Sequence, residues 1–130
     1  MILYINTKEK ISEIKLYDGR AKLVDEASFD GSFILSEELA QRIEGLLIDN
    51  KISKQDLTHI AINAGPGSYT GLRIGITTAN FMAFGLNIPI IKITDEDNVE
   101  KVIKIKTTKE KFINPVMPIY LNPPHITKKK

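Results

Sequence analysis

The residues of this chain whose types and spacing could do chemistry gather in one stretch, NAGPGSYTGLRIG, residues 63 to 75. Glycines at 65, 67 and 71 and a proline at 66 follow an apolar run, and an apolar helical run begins straight after. A glycine-rich turn ahead of a helix exposes backbone N–H groups at a positive dipole end, which suits an anion. The nucleotide motifs do not fit, however. A phosphate-cradling P-loop needs Lys then Ser or Thr after its last glycine, and Gly71 is followed by Leu72 and Arg73. A dinucleotide fingerprint would need its third glycine where Thr70 stands. The stretch therefore has two readings, an anion cradle built from the N–H groups of residues 67–71 or a tight turn that delivers a helix.

Elsewhere the chemistry is thin. The two histidines, His59 before an apolar run and His125 among prolines, lack metal-ligand spacing and read as structural. Ser68 has no evident base and reads as a turn or capping hydroxyl. The chain has no cysteine, which excludes a disulfide framework, thiolate zinc sites and thiol catalysis, and suits a reducing cytoplasm. No catalytic residue, metal ligand or cofactor site is expected. Charge is uneven: from Lys101 onward eight lysines stand against one acid, Glu110. Lys101, Lys104, Lys106, Lys109 and Lys111 would attract a phosphate backbone without reading its sequence, or form a solvated tail.

The elements that must position these residues follow from periodicity. The chain has 130 residues, enough for one domain burying roughly two thirds of its unfolded surface. The run MILYINT reads as a strand, and ISEIKLYDGRAKLVDEAS alternates on both sides of Asp18-Gly19, a hairpin signal. From Ser36, a candidate cap, the period becomes helical, with Leu39, Ile43, Leu46 and Leu47 on one stripe. Ser53 and Asp56 are spaced as a capping box. HIAIN, a helix from about Thr70 to Leu86, and IPIIKIT make a strand–helix–strand unit with parallel strands. The result is an α/β layout with a mixed sheet and an antiparallel hairpin at its N-terminus. VEKVIKIK alternates enough for an edge strand, and NPVMPIYLNPP should pack without helix. The apolar window from Ile74 to Ile91 is too interrupted for a membrane span, and no secretory signal is expected.

On a helical wheel Gly71, Gly75, Ala79 and Ala83 form a smooth ridge, flanked by Leu72, Ile76, Met82 and Leu86. Ile74 and Phe81 form a second apolar patch, and Arg73, Thr77 and Asn80 a narrow polar band. A helix apolar on most of its circumference needs cover on more than one side, and the ridge of small residues predicts close approach by another helix. The second cover comes either from another subunit or from the chain's own core.

GPGSYTGLRIGITTA resembles the signature of the TsaB (YeaZ) family, accessory subunits of bacterial tRNA threonylcarbamoyladenosine synthesis. The match includes Gly65, Pro66, Gly67, Ser68, Tyr69, Thr70, Gly71 and Arg73. The opening strand, the Asp18-Gly19 hairpin, the helix from Ser36 and NIPIIKIT follow that family's order, and PIYLNPP is similar to its closing segment. The resemblance implies a ribonuclease-H-like lobe of the actin-like ATPase superfamily over residues 1–94. It also implies that residues 95–130 are a short basic segment in place of most of a second lobe. It implies a non-catalytic partner of the TsaD transferase, with Leu39, Ile43, Leu46, Leu47, Gly71, Leu72, Gly75, Ile76, Ala79 and Ala83 at the interface. A homodimer when alone, docking by the TsaE ATPase and an indirect tie to tRNA are further implications. Asn6-Thr7 stands where the family has Asp-Thr, and an amide is a weaker ligand for a hard cation. Other readings are a small anion-binding protein, or a tRNA-binding module acting through the C-terminal lysines.

Overall fold

The computed structural model describes residues 1–31, 35–107 and 115–117. Five strands form one sheet in the order β3-β2-β1-β4-β5. They are β1 (Ile2–Asn6), β2 (Ile11–Tyr17), β3 (Leu23–Asp30), β4 (His59–Asn63) and β5 (Ile90–Ile93). β1 is central: it runs antiparallel to β2 and parallel to β4, and β4 is parallel to β5. Burial on both faces explains its unbroken apolar sequence. Leu3 and Ile5 enter the core beneath the helices, while Ile2 and Tyr4 enter a second cluster on the opposite face.

Between β2 and β3 the chain turns as expected at Asp18, but the left-handed residue is Ala21 (φ 61°), not Gly19. The Asp18 carbonyl accepts from Ala21 N at 3.0 Å, and its carboxylate accepts from the N–H groups of Arg20 and Lys22 at 2.8 and 3.0 Å. These bonds fix a five-residue loop, 18–22, instead of a two-residue turn.

Two long helices cover one face of the sheet, α1 (Leu35–Asp49) and α2 (Tyr69–Leu86). Ser36 falls inside the first turn of α1, so it is not the residue before the helix; position 34 lies outside the described residues. Ser53 and Asp56 do form the expected reciprocal pairing, with Ser53 N donating to Asp56 Oδ2 at 2.9 Å around a short 3-10 turn. Leu39, Ile43, Leu46 and Leu47 are buried, each contributing about 1.5–3 kcal/mol over exposure.

The expected edge strand at VEKVIKIK is instead a helix, α3 (Val99–Lys106). Val99, Ile103 and Ile105 fit alternation, Val99, Val102 and Ile103 fit helical spacing, and Asn98 decides between them. Its Oδ1 accepts from Lys101 N at 3.0 Å, a cap that a strand could not use. Ile103 seals the second cluster against Ile91 and Ile93. Of NPVMPIYLNPP, only residues 115–117 are described. They are not helical, and buried Val116 exchanges two hydrogen bonds with the Asn80 amide, at 2.9 and 3.1 Å.

Candidate functional site

The glycine stretch is a turn docked on the residues that follow β1. Gly65 takes the left-handed φ of 105°, and Asn63 Oδ1 accepts its N–H at 2.9 Å. Ser68 N donates to the Lys8 carbonyl at 3.2 Å. The Thr7 hydroxyl, buried, donates to the Gly71 carbonyl at 2.6 Å. A Cβ on Gly67 would run into Lys8, on Gly71 into the Thr7 carbonyl, and on Gly75 into the Thr7 hydroxyl. Glycine is needed at these places for close approach of backbone. The neighbour approached is this chain's own β1 end.

That finding corrects the expected role of the small-residue ridge. Leu72, Ile76, Ala79 and Ala83 are buried in the core between α2 and the sheet, together with Leu39, Ile43, Leu46 and Leu47 of α1. With Gly71 and Gly75 packed on Thr7, all ten residues assigned to a partner interface meet their own fold. The reason is that the ridge fits the sheet: small side chains let α2 lie close over β1 and β4.

The uncovered side of α2 is the opposite one. Phe81 and Phe84 are 79% and 78% exposed, and they continue a line through exposed Arg73 and Thr77. Phe81 belonged to the second apolar patch of the wheel. On that wheel Phe84 falls within the band containing Arg73 and Asn80. Beside Phe81 a cleft of about 310 Å³ opens between the helices, lined by Ala40, Ile43, Met82 and Leu86 among others. Two adjacent exposed phenylalanines beside an apolar cleft have the character of an interaction surface.

At the end of β1, Asn6 Nδ2 donates to Glu13 Oε1 at 3.3 Å and its Oδ1 accepts from Lys8 N at 3.2 Å. Lys8 Nζ reaches Asp95 at 2.6 Å across the end of β5, and this hydrogen bond holds the ammonium pKa above its ordinary value. Tyr4, beneath this corner, has its phenol pushed up to about 12, chiefly by burial, and burial likewise raises Tyr17. Neither phenol ionises near neutral pH, so both act as hydrogen-bonding groups: Tyr17 Oη donates to Glu100 at 3.2 Å, and Tyr4 Oη accepts from Asn63 Nδ2 at 3.3 Å.

His59 Nδ1 lies 2.9 Å from the Thr58 hydroxyl, and His125 lies outside the described residues. Among the described residues no cluster of His, Asp or Glu could hold a metal ion, and no helix is long and apolar enough to cross a membrane. Lys101 and Lys104 are exposed on α3 and Lys106 is half-buried; Lys109 and Lys111 lie outside the described residues.

The family model described as TsaD: tRNA N6-adenosine threonylcarbamoyltransferase matches residues 35–120, more than half of the chain. The tRNA threonylcarbamoyladenosine biosynthesis protein TsaB of Bacillus subtilis is 46% identical over 52 residues, 40% of this chain and 23% of that protein. Its counterpart from Buchnera aphidicola is 40% identical over 52 residues, 40% of this chain and 25% of that protein. The structure of YeaZ from Pseudomonas aeruginosa superposes with a TM-score of 0.65 at 22% identity, covering 72% of this chain and 42% of that one. The matched stretch thus spans about a quarter of these curated relatives, and the shared fold less than half of that YeaZ chain. The chain belongs to the family that the matched model describes, and over the matched stretch it is similar to the TsaB proteins.

Proposed function

We propose that this chain is a non-catalytic scaffold subunit of tRNA threonylcarbamoyladenosine synthesis, pairing with a TsaD-like transferase through the outer face of α2. The observation that carries the pairing is the exposure of Phe81 and Phe84, 79% and 78%, beside the cleft between α1 and α2. Aromatic rings of this kind bury roughly 150–250 Å² each when covered, which makes them natural anchors. The names of the relatives supply the pathway, and the self-packed glycine turn supports a structural role for this stretch. In the absence of the transferase the same face would meet a second copy of this chain. A TsaE-like ATPase is a further partner on this reading, and tRNA is reached through the transferase, with Lys101 and Lys104 of α3 as secondary contacts.

The test is direct. The purified chain mixed with a TsaD-like transferase should elute from a sizing column as one complex, and the mixture should modify tRNA faster than the transferase alone. Separate elution with unchanged modification would overturn the proposal.

A further inference from the structure

Asn80 of α2 holds a piece of chain from 36 positions further along the sequence. Its Oδ1 accepts from Val116 N at 2.9 Å, and its Nδ2 donates to the Val116 carbonyl at 3.1 Å. A side-chain amide carries both an acceptor and donors, so it can pair with both polar groups of one residue, as a neighbouring strand would. Residues 115–117 are exposed, buried and exposed in turn. Val116 faces inward and joins the core beneath the helices, which leaves Met117 outside, 71% exposed.

The place of this contact on α2 gives it meaning. At about 100° per residue, Asn80 and Met82 stand on opposite flanks of the helix, with Phe81 and Phe84 between them on the outer side. Met82 lines the cleft toward α1. The outer face is therefore bordered by α1 on one flank and by residues 115–117 on the other. Asn80 and Phe84 are one helical turn apart, so Met117, next to the held Val116, lies on the Phe84 flank. Phe81, Phe84 and Met117 are the three most exposed large apolar side chains among the described residues. Such side chains scattered singly are ordinary, but three on one face are not.

We infer that residues 115–117 belong to the pairing surface, with Met117 as a third anchor and Asn80 as the residue that positions it; this rests on the pairing proposal above. The occupant is an apolar face of the transferase-like subunit. Three side chains of this size offer on the order of 450 Å², about half of the ~800 Å² that each partner contributes to a standard protein–protein interface. Arg73 is the one charged residue of α2, so the matching face is mainly apolar. The unbranched thioether of Met117 adapts to aromatic or aliphatic groups on that face.

A double-mutant cycle on affinity for a TsaD-like transferase is the test. Met117→Ser, at an exposed position, should melt like the parent and bind roughly tenfold more weakly. Asn80→Ala should weaken binding by a similar factor, because Met117 is then no longer held. The double variant should also lose roughly tenfold, since both changes remove the same anchor. Hydrogen exchange of the parent gives a second readout: the Val116 amide should exchange more slowly in the complex than in the free chain. Met117→Ser binding as tightly as the parent, a roughly hundredfold loss in the double variant, or faster Val116 exchange in the complex would overturn the inference. If Phe81→Ser with Phe84→Ser still abolishes binding in that case, the pairing proposal survives alone. A parent chain that does not bind the transferase overturns both.

Discussion

Thr7 and Gly71 stand 64 positions apart, yet the buried Thr7 hydroxyl donates to the Gly71 carbonyl at 2.6 Å. This bond ties the end of the central strand to the first turn of α2. The same side chain fills the space that a Cβ on Gly75 would occupy. The glycine motif is therefore a joint between the central strand and α2, and its residues set the height of α2 over the sheet.

The joint predicts coupled energetics. Gly75→Ala overpacks against Thr7 and should destabilise by about 1–3 kcal/mol. Thr7→Ala should cost about 1–3 kcal/mol, through the lost hydroxyl and the space left behind. Because the alanine in the first variant collides with the atoms removed in the second, the double variant should lose clearly less than the sum. Urea melts of the four proteins measure this, and simple additivity would show that the two residues do not share one space.

Asn6 predicts a pH effect. Its side-chain amide donates to Glu13, its cross-strand partner. Asn6→Asp would set two carboxylates face to face and forfeit that donor. The variant should be less stable than the parent at pH 7, by about 1–2 kcal/mol. The deficit should shrink as pH falls through the carboxylate range, because a shared proton removes the repulsion. Melting curves at pH 7 and near pH 4 test it, and an equal deficit at both would contradict the pairing.

Asp18 works in the other direction. Backbone N–H groups of Lys22 and Arg20 hold its carboxyl below the ordinary pKa. A depressed folded pKa means that the contribution is fully present above the unfolded value and is lost as pH falls through the folded one. Asp18→Ala should therefore lower the melting temperature at pH 7 and leave it nearly unchanged in strong acid. A deficit that persists in strong acid would assign the effect to turn geometry instead of charge.

Much of this architecture was readable from periodicity. The hairpin, the strand–helix–strand unit and the two long helices each carry a pattern of one period over many residues. Val99–Lys106 is ambiguous because Val99, Ile103 and Ile105 alternate while Val99, Val102 and Ile103 share one face of a helix. Only the Asn98 cap separates them. The ridge Gly71–Gly75–Ala79–Ala83 predicts close approach by another helix, but a wheel cannot say what approaches. The answer lay in Thr7, which no local pattern connects to α2. Phe84 sits in a wheel band defined by its polar members, so periodicity does not distinguish it. Exposure, not sequence, marked it as part of the uncovered face.

The central claim is that the uncovered face of α2 is the pairing surface, and Phe81→Ser with Phe84→Ser tests it most directly. Both side chains are largely exposed, so the double variant should melt within about 1 kcal/mol of the parent. Affinity for a TsaD-like transferase, measured by titration calorimetry, should fall by roughly a hundredfold or more, as for loss of two aromatic anchors. A folded double variant that binds the transferase as tightly as the parent would contradict the account.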